Sequence, residues 1–427
     1  MHQSPRNTEL VMIALVAIFS IMPLMSGCSS SAIQNLSQTC YGNGSKCLTY
    51  TTCGKNIDAA INGKAVGYAY VILHNGIETQ AINSFGQART AADSPTKVMS
   101  INEPSNIASV TKTLTAAAVL HLLATKHISV NSGITPYLPP SWQLGQNVNL
   151  ISFSQLLTHT SGIQAPNGFN GSYSALKTLM GQNIDVSPTG YKAGCLQAYN
   201  QGKFAKCYQN ANFALFRIII PYILGPANPY PPSENQYPDI LDPANDGWTA
   251  QDYLSYMNSV YGSSFSISCT PQGSARMLSY LYPGGGSGTD WGDWWKTCGH
   301  GGIQLSATDM AAFLSNLTSG SYVSLTPSSN PDTPSLPAMV SNMYGWDYRF
   351  PNTTYGICIA KNGDLGFNNS NNVYVPWLTT LIVYCPQTGL AFAGLANSRL
   401  GTAQTSSFGF PGSWDDIVIN AYNASWK

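Results

Sequence analysis

The stretch SNIASVTKTLTAAAVLHLL, residues 105–123, places a single lysine in a run of small and apolar residues. The pattern predicts a helix over residues 107–126 that is apolar almost all round and therefore buried. A buried ammonium group costs free energy unless it is paired or loses its proton. Ser109 lies one helical turn before Lys112, and positions i and i+3 of a helix share a face. The sequence therefore predicts a serine with a lysine beside it.

The chain is poor in charged residues. Its 427 residues are enough for one large domain or two ordinary ones with a real hydrophobic core. Charged residues make up 9% of the chain, against about 25% in typical soluble proteins. The 19 acidic residues balance the 19 basic ones, which argues against nucleic acid as a partner.

The first 32 residues resemble a secretory signal, with Arg6, an apolar stretch and then small residues. The sequence LMSGC within them also resembles a bacterial lipobox, in which Cys28 would carry the lipid and become the mature N-terminus. Cleavage after Ala32 and an uncleaved anchor are the alternatives. We therefore expect a signal segment of the lipoprotein type at residues 1–27. The protein would be exported to the periplasm or the cell surface and held to the membrane by its lipid.

Ten cysteines fit an oxidising compartment. Without Cys28 nine remain, so at least one stays free or pairs outside the chain. None of them shows a convincing zinc-ligand spacing with histidine, and we expect no metal. Proximity along the chain suggests three disulfides, although connectivity cannot be deduced from sequence: Cys195 with Cys207, Cys269 with Cys298, and Cys358 with Cys385.

Apolar runs bounded by turn residues predict strands at both ends of the chain. The sequence AVGYAYVILHNGIETQAINSFG contains two such runs around Asn75-Gly76, a strong hairpin-turn signal. Near the other end, YGICIAKNG, LTTLIVYC and LAFAGLANS are typical of strands, the last two joined by a turn at 386–389. Helical patterns lie between these ends, at 107–126, about 153–158, about 210–223 and 306–317.

This order of elements predicts an α+β fold. One antiparallel sheet would be built from both chain ends and flanked by helices, with a mainly helical lobe inserted in the middle. A site is expected in the cleft between lobe and sheet. The stretches 164–206 and 225–299 look long and irregular, and they are either lids over the cleft or surface loops. Residues 28–55 look like a tether rich in serine and cysteine, which precedes a domain at 56–427.

The chemistry of Ser109 depends on a base, because a serine hydroxyl is otherwise a weak nucleophile. The chain contains no G-x-S-x-G turn, and its six histidines form no recognisable catalytic set. A lysine can serve if burial and a neighbouring charge lower its pKa. Ser109 and Lys112 have that arrangement, where a helix start supplies free backbone N–H groups. The S-x-x-K motif alone is weak evidence for a catalytic serine, since it also occurs at residues 94–97 and 174–177.

Several longer sequence segments, which follow one another in a fixed order, strengthen the evidence that Ser109 is catalytic. They are GYAYVILHNG, NIASVTKTLTAAAVLHLL, ITPYLPPSW, ISFSQLLTHTSGI, CYQNANFALF and GGIQLSATDMAAFL, followed by the strands after residue 355. With these phrases, residues 56–420 resemble the serine β-lactamase and penicillin-binding-protein superfamily, most of all its class C β-lactamase and DD-carboxypeptidase branch. The resemblance implies the fold of that superfamily and a serine hydrolase with a covalent acyl-enzyme and no cofactor.

The resemblance also implies a role for residues of the first two motifs. Ser109 would be the acylated nucleophile and Lys112 its partner base. The second motif, Y-x-N, is matched by Tyr208 to Asn210. A phenolate between two ammonium groups can have a depressed pKa, so Tyr208 would shuttle a proton to the leaving group or from water. Asn210 would hydrogen-bond the amide of the substrate.

The third motif, usually K-T-G on a strand beside the cleft, is matched by the sequence KNGD. Lys361 would attract a substrate carboxylate, and Gly363 would let backbone approach closely. The backbone N–H of Asp364 could complete an oxyanion hole with that of Ser109. Asn362 replaces the usual hydroxyl residue at a position where the substrate is expected.

Other stretches match the same motifs less well. Y-x-N also occurs at 41–43, before Ser109 and against the family order, and at 256–258, without the helix pattern that follows Tyr208. His300 within CGHGG and the KTC sequence at 296–298 are rivals for the third motif. The phrase that begins at Gly301 matches a separate structural segment of the family, so Lys361 is the preferred cation.

The resulting interpretation is an exported serine hydrolase that acts on amide, ester or β-lactam substrates, either small molecules or peptides, with peptidoglycan as a further partner. Gln209 and Asn362 depart from the family pattern and put efficient β-lactam hydrolysis in doubt. They favour an alternative from another class, a β-lactam- or peptidoglycan-binding sensor with little turnover. A surface adhesin with a face rich in Tyr, Asn and Ser is a third hypothesis.

Overall fold

The computed structural model describes residues 47–204, 206–225, 242–327, 334–350, 356–400 and 412–426. The predicted signal segment, Cys28 and the tether up to residue 46 lie outside these ranges. Within them the strands are β1 (Gly67–His74), β2 (Glu78–Arg89), β3 (Lys97–Val98), β4 (Ser105–Asn106), β5 (Gln304–Leu305), β6 (Tyr348–Phe350), β7 (Cys358–Asn368), β8 (Tyr374–Cys385) and β9 (Leu390–Ala396). The helices are α1 (Tyr50–Ile61), α2 (Thr111–Thr125), α3 (Phe153–Leu157), α4 (Tyr173–Met180), α5 (Tyr191–Asn200), α6 (Asn210–Ala214), α7 (Phe216–Leu224), α8 (Asp242–Tyr261), α9 (Ala307–Thr318), α10 (Leu336–Ser341) and α11 (Asp415–Ala424).

The main sheet joins the two ends of the chain, as the α+β prediction required. Its seven described strands lie in the order β3-β2-β1-β9-β8-β7-β6. Every neighbouring pair is antiparallel, and β1 pairs with β9 from Tyr68 opposite Ala396 to His74 opposite Leu390. β4 and β5 form a separate two-stranded pair. The predicted mixed architecture is therefore confirmed.

The hairpin between β1 and β2 follows from its two turn residues. Asn75 and Gly76 have φ values of 50° and 68°, in the left-handed region that a tight primed turn requires. Glycine reaches that region without a steric cost, and asparagine reaches it more easily than most residues. The turn therefore aligns the buried strand β1 with its neighbour β2.

Helices cover both faces of the sheet. On one face, α1 and α11 pack against Tyr70, Leu381 and Phe392 of the strands. On the other, α2, α9 and the inserted lobe form the larger core. α1 crosses residue 55, where the sequence predicted the end of the tether, and its Cys53 and Ile57 are buried. The folded unit therefore includes the end of the predicted tether.

The helix that carries Lys112 forms where the sequence predicted it. Residues 108–110 make a 3₁₀ turn, and α2 follows directly at Thr111. The window Ala108–Thr125 is long and apolar enough to cross a membrane by composition, but 78% of it is buried inside the protein. α2 is therefore a core helix, in contact with α7 and α8.

The middle of the chain is more regular than the sequence predicted. The stretch 164–206 contains α4 and α5, and α8 occupies 242–261 within the stretch 225–299. The prediction of irregular structure was wrong at these three helices. α5 and α8 are rich in polar and small residues, so an apolar period of 3.6 is weak in them, whereas α4 is amphipathic but only eight residues long.

The three disulfides that proximity suggested are present: Cys195–Cys207, Cys269–Cys298 and Cys358–Cys385. Cys47 is also disulfide-bonded. Cys53 is the free cysteine among the described residues. Its thiol is buried, and burial raises its pKa to about 12, so it is an unreactive thiol inside the core.

A buried ion pair holds the helical lobe together. Arg217 of α7 donates to Asp246 Oδ1 of α8 at 2.7 Å, and both side chains are fully buried. The guanidinium also donates to the Gly171 carbonyl at 2.9 Å, and Asp246 Oδ1 accepts from the backbone N–H of Tyr173. The pair therefore joins two helices to the start of α4.

Replacing Arg217 by Met should lower the free energy of unfolding by about 3–5 kcal/mol, because it leaves a buried carboxylate without its partner. The matched control is Arg276→Met, since the pair of Arg276 with Asp290 is exposed to 31% and 40%. That substitution should cost less than about 1 kcal/mol. Urea unfolding with the disulfides intact measures both, and equal losses would contradict the structural role of the buried pair.

Candidate active site

Ser109 is presented by a short strand and a tight turn. The pairing of β4 with β5 ends at Asn106, whose Oδ1 accepts from the backbone N–H of Ala108 at 2.7 Å. Ala108 has a φ of 47° and turns the chain into the 3₁₀ segment that carries Ser109. Its neighbours Ala108 and Val110 are buried, whereas Ser109 is partly exposed. The fold therefore places one hydroxyl at the surface of an otherwise apolar helix start.

Two polar side chains meet the hydroxyl of Ser109. Lys112 Nζ lies 3.0 Å from Ser109 Oγ, and the Tyr208 hydroxyl donates to the same oxygen at 2.7 Å. Lys112 is completely buried and also donates to the backbone carbonyl of His300 at 2.5 Å. The structure thus brings together the serine, lysine and tyrosine that were predicted from separate motifs.

The protonation of Lys112 is set by its surroundings. Burial lowers its pKa well below the ordinary value of 10.5, and the charge of Lys361 lowers it further. Asp347 acts in the opposite direction but does not outweigh these two effects. Lys112 therefore releases its proton more easily than a solvent-exposed lysine, and its amine can accept the proton of Ser109.

Tyr208 is fixed from the lobe side. It follows Cys207, which is bonded to Cys195 of α5, and it stands just before α6. The ring of His159 packs on it with 4.6 Å between the ring centroids. His159 Nδ1 accepts from the backbone N–H of Gln209 at 3.3 Å, which fits the predicted role of a hydrogen-bonded turn residue.

The surroundings of Tyr208 favour a neutral phenol over the predicted phenolate. Lys112 Nζ and Lys361 Nζ do lie 4.9 and 4.7 Å from the centroid of its ring. However, burial and the charge of Asp347 raise the pKa of Tyr208 well above its ordinary value. Tyr208 is therefore a neutral phenol that donates a hydrogen bond to Ser109.

β7 closes the site from the sheet side. Gly363 lies against the backbone of the nucleophile, where an added Cβ would be 2.8 Å from Ser109 N and 2.5 Å from the Ile107 carbonyl. The Thr380 hydroxyl of β8 donates to that same carbonyl at 2.8 Å. Only glycine fits at this position, so the close backbone approach expected of Gly363 is present in the structure.

The third-motif lysine has a partner that sequence reasoning missed. Lys361 donates to Asp347 Oδ2, and the two side chains are exposed to 0% and 6%. Burial lowers the pKa of Lys361, and Asp347 opposes this shift. Asp347 precedes β6 in the sequence GWDY, which has no motif that would have identified it.

Three other predicted site residues, Asn210, Asn362 and Asp364, lie around the serine–lysine–tyrosine cluster rather than in it. Asn362 accepts from the Tyr348 hydroxyl at 3.4 Å and donates to Asp364 at 3.4 Å, on the side of the sheet that faces α1 and α11. Burial raises the pKa of the Asp364 carboxyl to about 8. Asn210 is exposed at the first position of α6. The side chain of Asn362 thus contacts Tyr348 and Asp364, away from Ser109.

His300, the rival cation, supports Lys112 through its main chain. Its carbonyl accepts from Lys112, and its ring is buried beside Gly171. Burial, Lys112 and Arg217 lower the pKa of His300 well below its ordinary value, so its imidazole is neutral. The geometry therefore favours Lys361 as the cation beside Tyr208.

Comparisons with known proteins agree with this geometry. The Beta-lactamase family model matches residues 54–225. A class C β-lactamase from Rhodobacter sphaeroides has a TM-score of 0.55 at 14% identity, covering 88% of this chain and 99% of its own. A β-lactamase/D-alanine carboxypeptidase from Yersinia pestis has a TM-score of 0.55 at 15% identity, covering 88% and 98%. FmtA from Staphylococcus aureus has a TM-score of 0.56 at 15% identity, covering 91% and 92%. A search of curated protein sequences finds no match.

Together, the fold and the serine–lysine–tyrosine cluster define a protein of the β-lactamase fold class. The family-model match and the shared fold confirm the resemblance to the serine β-lactamase and penicillin-binding-protein superfamily. The family-model match over residues 54–225 supports the predicted enzyme class, a serine hydrolase.

The pH dependence of Ser109 acylation tests the electrostatics. The rate should rise with pH through the lowered pKa of Lys112, because only the free amine accepts a proton. Lys361→Met removes a charge that lowers this pKa and leaves Asp347, which raises it, so the rise should move to higher pH. Release of 4-nitrophenol from an activated ester measures the rate.

The matched control for this prediction is Lys64→Met, since Lys64 is exposed and donates to Ala60 at the end of α1. Its pH profile should coincide with that of the unmodified protein. A profile of Lys361→Met that also coincides would contradict the assigned coupling between Lys361 and Lys112.

Proposed function

We propose that the protein is an exported serine hydrolase that forms a covalent acyl-enzyme on Ser109. The observation that carries the proposal is the position of Ser109 Oγ, 3.0 Å from Lys112 Nζ and 2.7 Å from the Tyr208 hydroxyl. A nucleophile with a base and a proton donor within hydrogen-bond distance is the arrangement that acyl transfer requires.

Acylation follows from these three groups. The amine of Lys112 accepts the proton of Ser109 as Oγ attacks the carbonyl carbon of the substrate, and the carbonyl electrons move to its oxygen. When the tetrahedral intermediate collapses, the bond to the leaving group breaks and the leaving group takes the Tyr208 proton. The Lys112 ammonium then returns a proton to Tyr208. Both side chains end in their starting state, with the acyl group on Ser109.

The oxyanion and the second half-reaction use the same surroundings. The backbone N–H of Ser109 lies at a helix start, and Gly363 brings β7 against it. We assign the oxyanion hole to the N–H groups of Ser109 and Asp364. In deacylation a water molecule gives a proton to Lys112 as its oxygen attacks the acyl carbon. The bond from that carbon to Ser109 Oγ then breaks, and the Lys112 ammonium returns the proton to Oγ.

The substrates proposed for this site are amides, esters or β-lactams, presented by small molecules or peptides. The structural relatives include proteins named as β-lactamase and D-alanine carboxypeptidase, and this likeness supports D-amino-acid peptides and peptidoglycan as candidate substrates. Asn210 stands exposed beside Tyr208 and is the residue we assign to the substrate amide.

Export is supported by the disulfides, because such bonds persist in oxidising compartments. We further propose that Cys28 carries a lipid that holds the protein at the membrane. Its sequence context, LMSGC, supports this assignment.

Intact mass spectrometry of the purified protein with a fluorescent penicillin and, separately, an activated ester tests the acyl-enzyme. We expect an adduct on Ser109 that decays within the measurement, because Lys112 is available for the second half-reaction. Lys112→Ala should reduce the acylation rate by at least about 100-fold. A permanent adduct would instead support the sensor hypothesis.

Ser109→Ala is the matched control for the adduct, and the fold should be unaffected by loss of one partly exposed hydroxyl. Labelling that persists in Ser109→Ala would place the nucleophile elsewhere and overturn the proposal. An adduct with the ester alone would restrict the substrates to esters and amides.

The lipid anchor has its own test in cells. Cys28→Ser should abolish incorporation of a labelled fatty acid into the protein, since no thiol remains to carry the lipid. Cys53→Ser is the matched control because that thiol is buried in the core. A Cys28→Ser protein that still incorporates the labelled fatty acid would contradict lipidation at this residue.

A further inference from the structure

The cation expected to attract a substrate carboxylate is already paired within the protein. Lys361 is completely buried, and its ammonium donates to Asp347, which is exposed to only 6%. From this pairing we propose that Asp347 makes the site selective for acyl donors whose leaving group carries no carboxylate. The inference rests on the proposed function and names the substrate class of the same site.

The position of the pair relates it directly to the leaving group. Lys361 Nζ lies 4.7 Å from the centroid of the Tyr208 ring, and the hydroxyl of Tyr208 is the proton donor to Ser109. A leaving group that takes its proton from Tyr208 therefore lies within the electric field of the pair of Lys361 and Asp347. A negative charge on that leaving group would meet the carboxylate of Asp347 as well as the ammonium.

Neither of the two amines that lie against the Tyr208 ring offers an unpaired positive charge to an anion. Lys112 acts as a free amine when it is the base, and its pKa is lowered accordingly. Lys361 and Asp347 cancel each other as an ion pair. A carboxylate would have to displace Asp347 from a buried ammonium or lie beside it, and like charges in close contact disfavour binding strongly.

Two other cations in this part of the protein are also engaged. Arg349 of β6 donates to the Ser341 carbonyl and lies 5.0 Å from the centroid of the Phe204 ring. Lys296 Nζ lies over the ring of Trp295, 5.4 Å from its centroid. Among the described residues, neither contact directs a positive charge toward Ser109.

Three aryl esters of one acyl group test the inference with the full protein. Their leaving groups are phenol, 3-hydroxybenzoate and 3-(trimethylammonio)phenol, which are neutral, anionic and cationic. Dividing each kcat/KM by the rate of hydroxide hydrolysis removes the difference in leaving-group reactivity. We expect the anionic ester to be at least about ten-fold poorer than the other two, mainly through a higher KM. The cationic ester controls for the added size.

Asp347→Asn should reduce this discrimination by at least about five-fold, because the carboxylate that repels the anion is gone. Asp347→Glu keeps the charge and should keep the discrimination. Asp252→Asn, the same change on α8, is the matched control and should leave the ratio as it was. The readout is the ratio of the corrected kcat/KM values for the neutral and anionic esters. A general loss of activity in Asp347→Asn lowers both values and leaves this ratio unchanged, so it does not imitate the expected result.

The outcomes separate this inference from the proposed function. Equal corrected kcat/KM values for the neutral and anionic esters, in a protein that acylates at Ser109, would overturn the selectivity and leave the hydrolase intact. An unchanged ratio in Asp347→Asn would remove Asp347 as its cause and overturn the inference. Absence of an acyl adduct with all three esters would overturn both.

Discussion

A lysine amine buried beside a serine hydroxyl is the constraint on which the rest of the site depends. An apolar helix offers nothing that compensates a charge at Lys112, so its partners come from outside the helix. One of them, the carbonyl of His300, lies 188 positions further along the chain. That contact exists only when α2 is enclosed by the inserted lobe. Core packing and chemistry therefore share the same contacts, and disruption of the lobe would expose Lys112 and return its pKa toward the ordinary value.

Burial and charged neighbours set the protonation of the two groups that contact Ser109. Burial and the charge of Lys361 lower the pKa of Lys112, and burial and the charge of Asp347 raise that of Tyr208. A neutral amine and a neutral phenol then flank the hydroxyl, so Tyr208 donates to Ser109 and Ser109 can donate to Lys112. This orientation of hydrogen bonds is the one that acylation needs, and it is in place before a substrate binds.

The sequence predicted the elements whose signals are local. The Asn75-Gly76 turn, the strand patterns and the S-x-x-K spacing at Ser109 each depend on residues close together, and the structure contains all three. α5 and α8 were missed because polar and small residues obscure their period, and α4 was missed because it spans only eight residues. Asp347 was missed because its ion pair with Lys361 forms only when β6 pairs with β7. The protonation of Tyr208 likewise depends on burial, which the motif does not encode.

The departures from the family pattern lie outside the reacting group. Gln209 accepts from the backbone N–H of Ala165 at 3.4 Å, and Asn362 contacts Tyr348 and Asp364. Neither side chain touches Ser109 in the structure. Both substitutions therefore leave the hydrogen bonds of Ser109 with Lys112 and Tyr208 in place. The same separation applies to Asp347, which selects by charge while the base and the proton donor stay in place. Reaction type and substrate choice are thus set by different residues of one site, and they can change independently.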